Sequence, residues 1–189
     1  KITDTQWAAL DPAQTNSDLR TSEILAHIFE APLTYDYLAR PARLVRSTAA
    51  AMPEVSADGK VFTIRVRPGI LFADDPAFNG QPRELTAADH VYSIKRFYDP
   101  KYNSGDLYNF EQLKLPGLSE LRDRAVKART PFDYEAPVDG VRVIDKYTYR
   151  ITLGVPNPRF IYTLADPVYC GAVAREALAD ARLTARDIA

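Results

Sequence analysis

The run from Val61 to Arg67 alternates, with Phe62, Ile64 and Val66 on one side and Thr63, Arg65 and Arg67 on the other. The turn dipeptide Asp58-Gly59 precedes this run and Pro68-Gly69 closes it, so the pattern predicts a strand entered through a tight turn. A second alternation passes through Val141 and Val143 into Asp145-Lys146 and out through Tyr147, Tyr149, Ile151 and Leu153. That spacing predicts a hairpin with one apolar face.

Elsewhere the period is helical. Ile24, Leu25, Ile28 and Phe29 give residues 18–30 one apolar face, which Pro32 ends. The polar stretch Gln14 to Asp18 supplies N-cap candidates for it. Thr86-Ala87-Ala88-Asp89 has the form of a capping box, and Val91, Ile94 and Tyr98 extend it as an apolar stripe as far as Asp99-Pro100. Residues 118–129 predict a charged surface helix, and shorter helical patterns lie around 160–164 and 174–181. Residues 72–83 read as loop, 99–117 as a tyrosine-rich series of turns, and 33–52 carry no clear period. No internal repeat or low-complexity tract interrupts these elements.

Composition narrows the function classes. The 189 residues are 46% hydrophobic and 26% charged, a balance that suits a globular chain with a substantial core. Lys and Arg number 24 against 25 Asp and Glu, and the signs are interspersed, which argues against a nucleic-acid partner. One Cys and two His exclude an intramolecular disulfide and a four-ligand Cys/His zinc site. No apolar stretch approaches the roughly 20 residues of a membrane span. Because the chain opens at Lys1 without an apolar leader, we expect a processed chain or an excised portion of a longer protein.

Few residues invite chemistry. Asp74 and Asp75 could form a carboxylate pair, but neighbouring Pro and Gly favour a plain turn. His27 reads as a packed or surface histidine, and His90, following Asp89, as exposed. Cys170 lacks a nearby His and reads as a buried, inert thiol. Arg67, Lys95 and Arg96 read as a solvated face, and the scattered glycines form no phosphate loop. No cofactor and no metal are expected, and nothing in these residues reads as an enzyme.

Taken in order, several segments resemble the family 5 extracellular solute-binding proteins, the receptors of peptide and nickel-type ABC importers. They are Leu10-Asp11-Pro12, the helix ending Ile28-Phe29-Glu30-Ala31-Pro32-Leu33, and the strand region Val55 to Ile70. Phe72-Ala73-Asp74-Asp75, Leu85 to Arg96, the hairpin at Asp145-Lys146-Tyr147-Thr148 and Ala174-Arg175-Glu176-Ala177 continue the match along nearly the whole chain. The loop from Asp74 to Gly80 is longer than the family's usual Asp-Gly, and the family continues for some hundreds of residues more.

The resemblance implies an α+β chain, the amino-terminal part of a periplasmic binding protein type II-like fold with a mixed sheet and helices. Residues 1–34 and 155–189 would form an incomplete lobe and residues 35–154 a compact one. The implied function is capture of a small solute, often a peptide, in an interlobe cleft and delivery to a membrane permease. The protein would be periplasmic or extracellular, monomeric and not inserted in the membrane. Asn16, Ser17, Asp18, Leu19 and Tyr108 are the implied ligand contacts, with helix capping or packing as their alternative roles. One cleft wall alone should bind the solute weakly. The rival readings are a hydrolase using Asp74 with Asp75 or Cys170, and a stand-alone interaction domain.

Overall fold

A computed structural model of the chain describes residues 10–14 and 19–179. After a short 3-10 turn at Pro12–Gln14, helix α1 (Leu19–Ile28) buries Leu25 and leaves His27 exposed. Strands β1 (Leu33–Tyr35) and β2 (Leu44–Arg46) then pair antiparallel in the stretch without a clear period. Next come β3 (Glu54–Val55) and β4 (Val61–Arg65), joined at the predicted turn, where Gly59 adopts φ 68, a conformation that favours glycine.

Helices α2 (Ala87–Tyr98), α3 (Leu107–Leu113) and α4 (Leu118–Ala128) follow, then the hairpin β5 (Val141–Asp145) and β6 (Thr148–Thr152). Three short helices end the described chain: α5 (Phe160–Thr163), α6 (Pro167–Cys170) and α7 (Arg175–Ala179). The main sheet has the order β3-β4-β6-β5, antiparallel throughout, so the architecture is α+β.

The alternation at β4 works as its period requires: Phe62, Ile64 and Val66 are buried. On the opposite hairpin the apolar face comes from Val141, Tyr149, Ile151 and Leu153. Val143 stays in register with Tyr149 yet is exposed, because β5 is the edge strand of the sheet; the β5–β6 register shifts only after it, between Val143 and Asp145. One continuous hydrophobic core reaches from Ala31 to Ala172. Leu33 donates its N–H to the carbonyl of Leu164 at 3.0 Å, and α1 packs against α6.

Helix α2 is the structural axis. Its capping box is in place, with the Asp89 carboxylate accepting from the Thr86 N–H and hydroxyl, each at 2.8 Å. The helix packs against β5, β6, α3, α4 and α6, so ten of its twelve residues are buried, not one stripe only. This corrects two expectations. His90 is buried, stacked 5.0 Å from Tyr149, and its Nδ1–H donates to the carbonyl of Cys170 at 3.2 Å. Lys95 and Arg96 are enclosed as well, and only Arg67 of that trio is exposed.

Enclosure forces each cation to find partners. Lys95 Nζ donates to the carbonyls of Tyr134 and Ala136 at 2.7 and 2.9 Å. Arg96 makes a two-pronged ion pair with Asp11, at 2.8 and 2.6 Å, which ties the 3-10 turn to α2. Among the described residues no helix is long and apolar enough to cross a membrane.

Candidate functional site

Helix α3 lies in the tyrosine-rich stretch where only turns were expected. Its inward face is Phe110 and Leu113, one turn apart, with half-buried Leu107 one turn before them against the same core. Phe110 packs 4.6 Å from Phe97 and edge-on, at 6.0 Å, to Tyr169. The opposite wall is built by α5 and α6. Pro156 and Pro158 bend the chain, Asn157 accepts from the Arg159 N–H at 3.0 Å, and Phe160 anchors α5 edge-on against Phe62 at 4.9 Å. Asp166-Pro167 then starts α6, the Asp166 carboxylate accepting from the Val168 N–H at 2.9 Å.

Between these walls lies a groove of about 410 Å³ lined by Asn109, Gln112, Asn157, Tyr162, Asp166 and Tyr169, with Phe110 and Leu113 at its apolar side. Its polar hub is Tyr169. The tyrosine hydroxyl accepts from Asn109 Nδ2 at 2.9 Å and donates to the Asp106 carboxylate at 3.2 Å. Asp106 is fully buried at the start of α3. Burial pushes the Asp166 carboxyl above its ordinary range, and the nearby Asp106 charge adds to the effect. Tyr169 is likewise raised, first by burial and then by the two carboxylates, so it stays a neutral hydroxyl. Tyr108 on α3 is 51% exposed, and Tyr162 on α5 is 53% exposed. Chemically, the groove offers aromatic surface beside acceptor oxygens, which suits a ligand carrying N–H donors or an ammonium group.

Two other grooves are of similar size. One, of about 430 Å³ beside α2, holds Arg83, Arg175, Asp89, Glu135 and Glu176. Its arginines are already matched: Arg83 with Asp89 and Glu176, and Arg175 with Glu135. The other, of about 450 Å³, is lined largely by apolar residues, among them Ile28, Phe72, Phe78, Val173 and Leu178. The α3 groove sets Tyr162 and Tyr169 beside the side-chain amides of Asn109, Gln112 and Asn157 and the Asp166 carboxylate.

Of the residues proposed from sequence, Asn16, Ser17 and Asp18 lie outside the described residues, and Leu19 is the first residue of α1. Tyr108 stands on α3, one residue before groove-lining Asn109. Asp106, Asn109, Asp166 and Tyr169 were not singled out. The pair Asp166-Pro167 carried a readable helix-start signal, but the meeting of Asn109 with Tyr169 is a long-range contact that no local pattern announces.

The rival catalytic residues have structural employment. Asp75 caps the 3-10 turn Pro76–Phe78, accepting from the Ala77 N–H at 2.8 Å. Cys170 is buried, and burial pushes its thiol well above the ordinary range, away from the reactive thiolate.

Comparison with known proteins completes the picture. A family model described as bacterial extracellular solute-binding proteins, family 5 (middle), matches residues 43–180. The dipeptide-binding protein of Lactococcus lactis is 28% identical over 116 residues, covering 61% of this chain and 18% of that protein. The periplasmic oligopeptide-binding protein OppA of Escherichia coli is 28% identical over 161 residues, covering 84% of this chain and 25% of that protein. Among solved structures, OppA of Burkholderia pseudomallei superposes with a TM-score of 0.65 at 25% identity, covering 91% of this chain and 29% of that one. This chain thus spans between 18% and 29% of the length of these proteins, and its fold is that of a part of a type II periplasmic binding protein.

Proposed function

The chain belongs to family 5 of the bacterial extracellular solute-binding proteins, and from that premise we propose that it forms part of the substrate receptor of an ABC importer. The receptor captures a small solute of the short-peptide class in a cleft between two lobes and hands it to the membrane permease. The α3 groove carries this reading: half-exposed Tyr162 and half-buried Asp166 and Tyr169 line it together with Asn109, Gln112 and Asn157, and Tyr108 stands one residue before Asn109 on the same helix. A peptide presents N–H donors, an ammonium terminus and side chains, which these groups complement. Asn16, Ser17, Asp18 and Leu19 join Tyr108 as proposed ligand contacts.

Residues 35–154 act as the compact lobe in this reading, and residues 1–34 with 155–189 as part of the other. The hydrogen bond from Leu33 to Leu164 supports the meeting of those two end segments. The protein works outside the cytoplasmic membrane as a monomer, without cofactor or covalent chemistry. The buried, raised Cys170 thiol and the capping role of Asp75 favour binding over hydrolysis.

The test is an NMR titration with a dipeptide and with its N-acetylated form. Saturable shifts in α3 and α6 are expected for the free dipeptide, with affinity at least about tenfold weaker after acetylation. Equal binding of both forms, or shifts confined to other elements, overturns the assignment of the groove.

A further inference from the structure

The hairpin β1–β2 ends in a tip that exposes apolar residues to an unusual degree. Tyr37 is 86% exposed and Leu38 83%, and Tyr35 on β1 is 49% exposed. A floppy loop could hide such side chains on demand, but this tip is braced from within. Asp36 accepts from the Leu38 N–H at 3.1 Å and pairs with Arg43 at 2.8 Å. Arg40 donates to the carbonyls of Tyr37 and Ala39 at 3.0 and 2.8 Å, and the Asp36 N–H donates to the Arg43 carbonyl at 2.8 Å. The Tyr37-Leu38 pair is therefore held outward by a preformed scaffold, which lowers the ordering cost of any contact it makes.

The net charge around it is positive. From Leu33 to Arg46 the hairpin carries Arg40, Arg43 and Arg46 against the single acid Asp36, which Arg43 already neutralises. Neither Arg40 nor Arg46 has a carboxylate partner among the described residues; Arg46 donates to the carbonyl of Ala50 at 2.9 Å.

We propose that this tip is a membrane-surface contact: Tyr37 and Leu38 enter the headgroup zone of an anionic bilayer while Arg40 and Arg46 face lipid phosphates. A stable protein interface buries roughly 800 Å² on each partner, far more than the two outward residues of this tip can supply. A bilayer accepts such a wedge, because apolar insertion and attraction between basic residues and anionic lipid add together. Tyrosine suits the boundary, with an apolar ring and a hydroxyl for water. The contact goes beyond the receptor role and does not rest on it.

Co-sedimentation of the chain with vesicles of phosphatidylcholine mixed with phosphatidylglycerol, and with vesicles of phosphatidylcholine alone, tests the proposal. Binding is expected to the mixed vesicles, to weaken with added salt, and to fall about tenfold in the double variant Tyr37→Ser, Leu38→Ser. Both side chains are solvent-exposed, so the variant should fold, which circular dichroism checks. Absence of binding, equal binding to both vesicle types, or binding unaltered by the double substitution overturns it. So does a result in which the two side chains matter only for self-association, or only when a permease is reconstituted in the vesicle.

Discussion

Helices α2 and α3 pack against each other, yet they treat their polar residues in opposite ways. Ten of the twelve residues of α2 are buried, and most of its polar groups find partners inside the fold: Arg96 in Asp11, Lys95 in two carbonyls, and His90 Nδ1 in the Cys170 carbonyl. His90 Nε2, Arg96 Nε and the Tyr98 hydroxyl are enclosed without a hydrogen-bond partner among the described residues. Helix α3 fully buries only Phe110 and Leu113, packs Leu107 partly against the core, and turns its polar residues toward solvent or the groove. Asp106 and Asn109 share Tyr169 there, and Tyr108 stays half exposed. An enclosed helix must spend its polar groups on the fold, whereas a half-covered one can keep some for a ligand. Substitutions in α2 should therefore register in stability, and substitutions on the outer face of α3 in binding.

The largest effect should come from breaking the Arg96–Asp11 pair. Arg96 and Asp11 retain only 2% and 13% side-chain exposure, so Arg96→Met strands a carboxylate in a largely dry setting. Burial would raise the Asp11 carboxyl, but the Arg96 hydrogen bonds and charge outweigh it and hold Asp11 below its ordinary value. Losing one partner of such a pair costs about 3–5 kcal/mol. Urea unfolding of Arg96→Met should show that loss, and the double variant Asp11→Leu, Arg96→Met should recover part of it. A single variant as stable as the parent would mean that α2 does not depend on its internal pairs.

His90 should give α2 a pH signature. Burial pulls its pKa from 6.5 down to about 4, so the folded state keeps the ring neutral where the unfolded chain takes up a proton. A depressed folded pKa means that the stability is whole above pH 6.5 and declines as pH falls toward 4. The decline amounts to about 3 kcal/mol across that window. Asp11 is depressed and acts at lower pH; Asp166 is raised and works in the opposite direction. His90→Phe keeps a ring against Tyr149 and should remove most of the slope in a series of unfolding curves. An unchanged slope in this variant would assign the acid sensitivity elsewhere.

The same contrast decides what sequence could reveal. The period-two runs and the Thr86–Asp89 capping box are local, and they place β4, β6 and α2 correctly. Burial around α2 is not local: His90, Lys95 and Arg96 look solvent-compatible until β6, α6 and the Tyr134 loop are packed over them. Helix α3 escapes detection because it is only seven residues long, and its apolar positions Leu107, Phe110 and Leu113 sit in a stretch whose Tyr, Asn, Gly and Pro residues suit turns equally well. The register shift after Val143 has no signature in a strand of alternating valines. The groove is the least legible part, since Asn109 and Tyr169 are 60 positions apart and only the tertiary fold joins them.

The smallest expected change in stability belongs to Tyr108, and it isolates the outer face of α3. Half of its surface already meets water, so Tyr108→Ser should alter stability by no more than about 0.5 kcal/mol. Phe110, two residues along the same helix, is 2% exposed against Phe97, and Phe110→Ala should cost about 3 kcal/mol. Binding should rank the residues differently. A tyrosine beside the groove contributes about 1 kcal/mol of aromatic contact, so Tyr108→Ser should weaken a bound dipeptide about fivefold. Paired urea unfolding and NMR titration read both quantities on one sample. A Tyr108→Ser variant that loses stability while binding as before would place this side chain with the core, and the division between the two helices would fail at the residue chosen to test it.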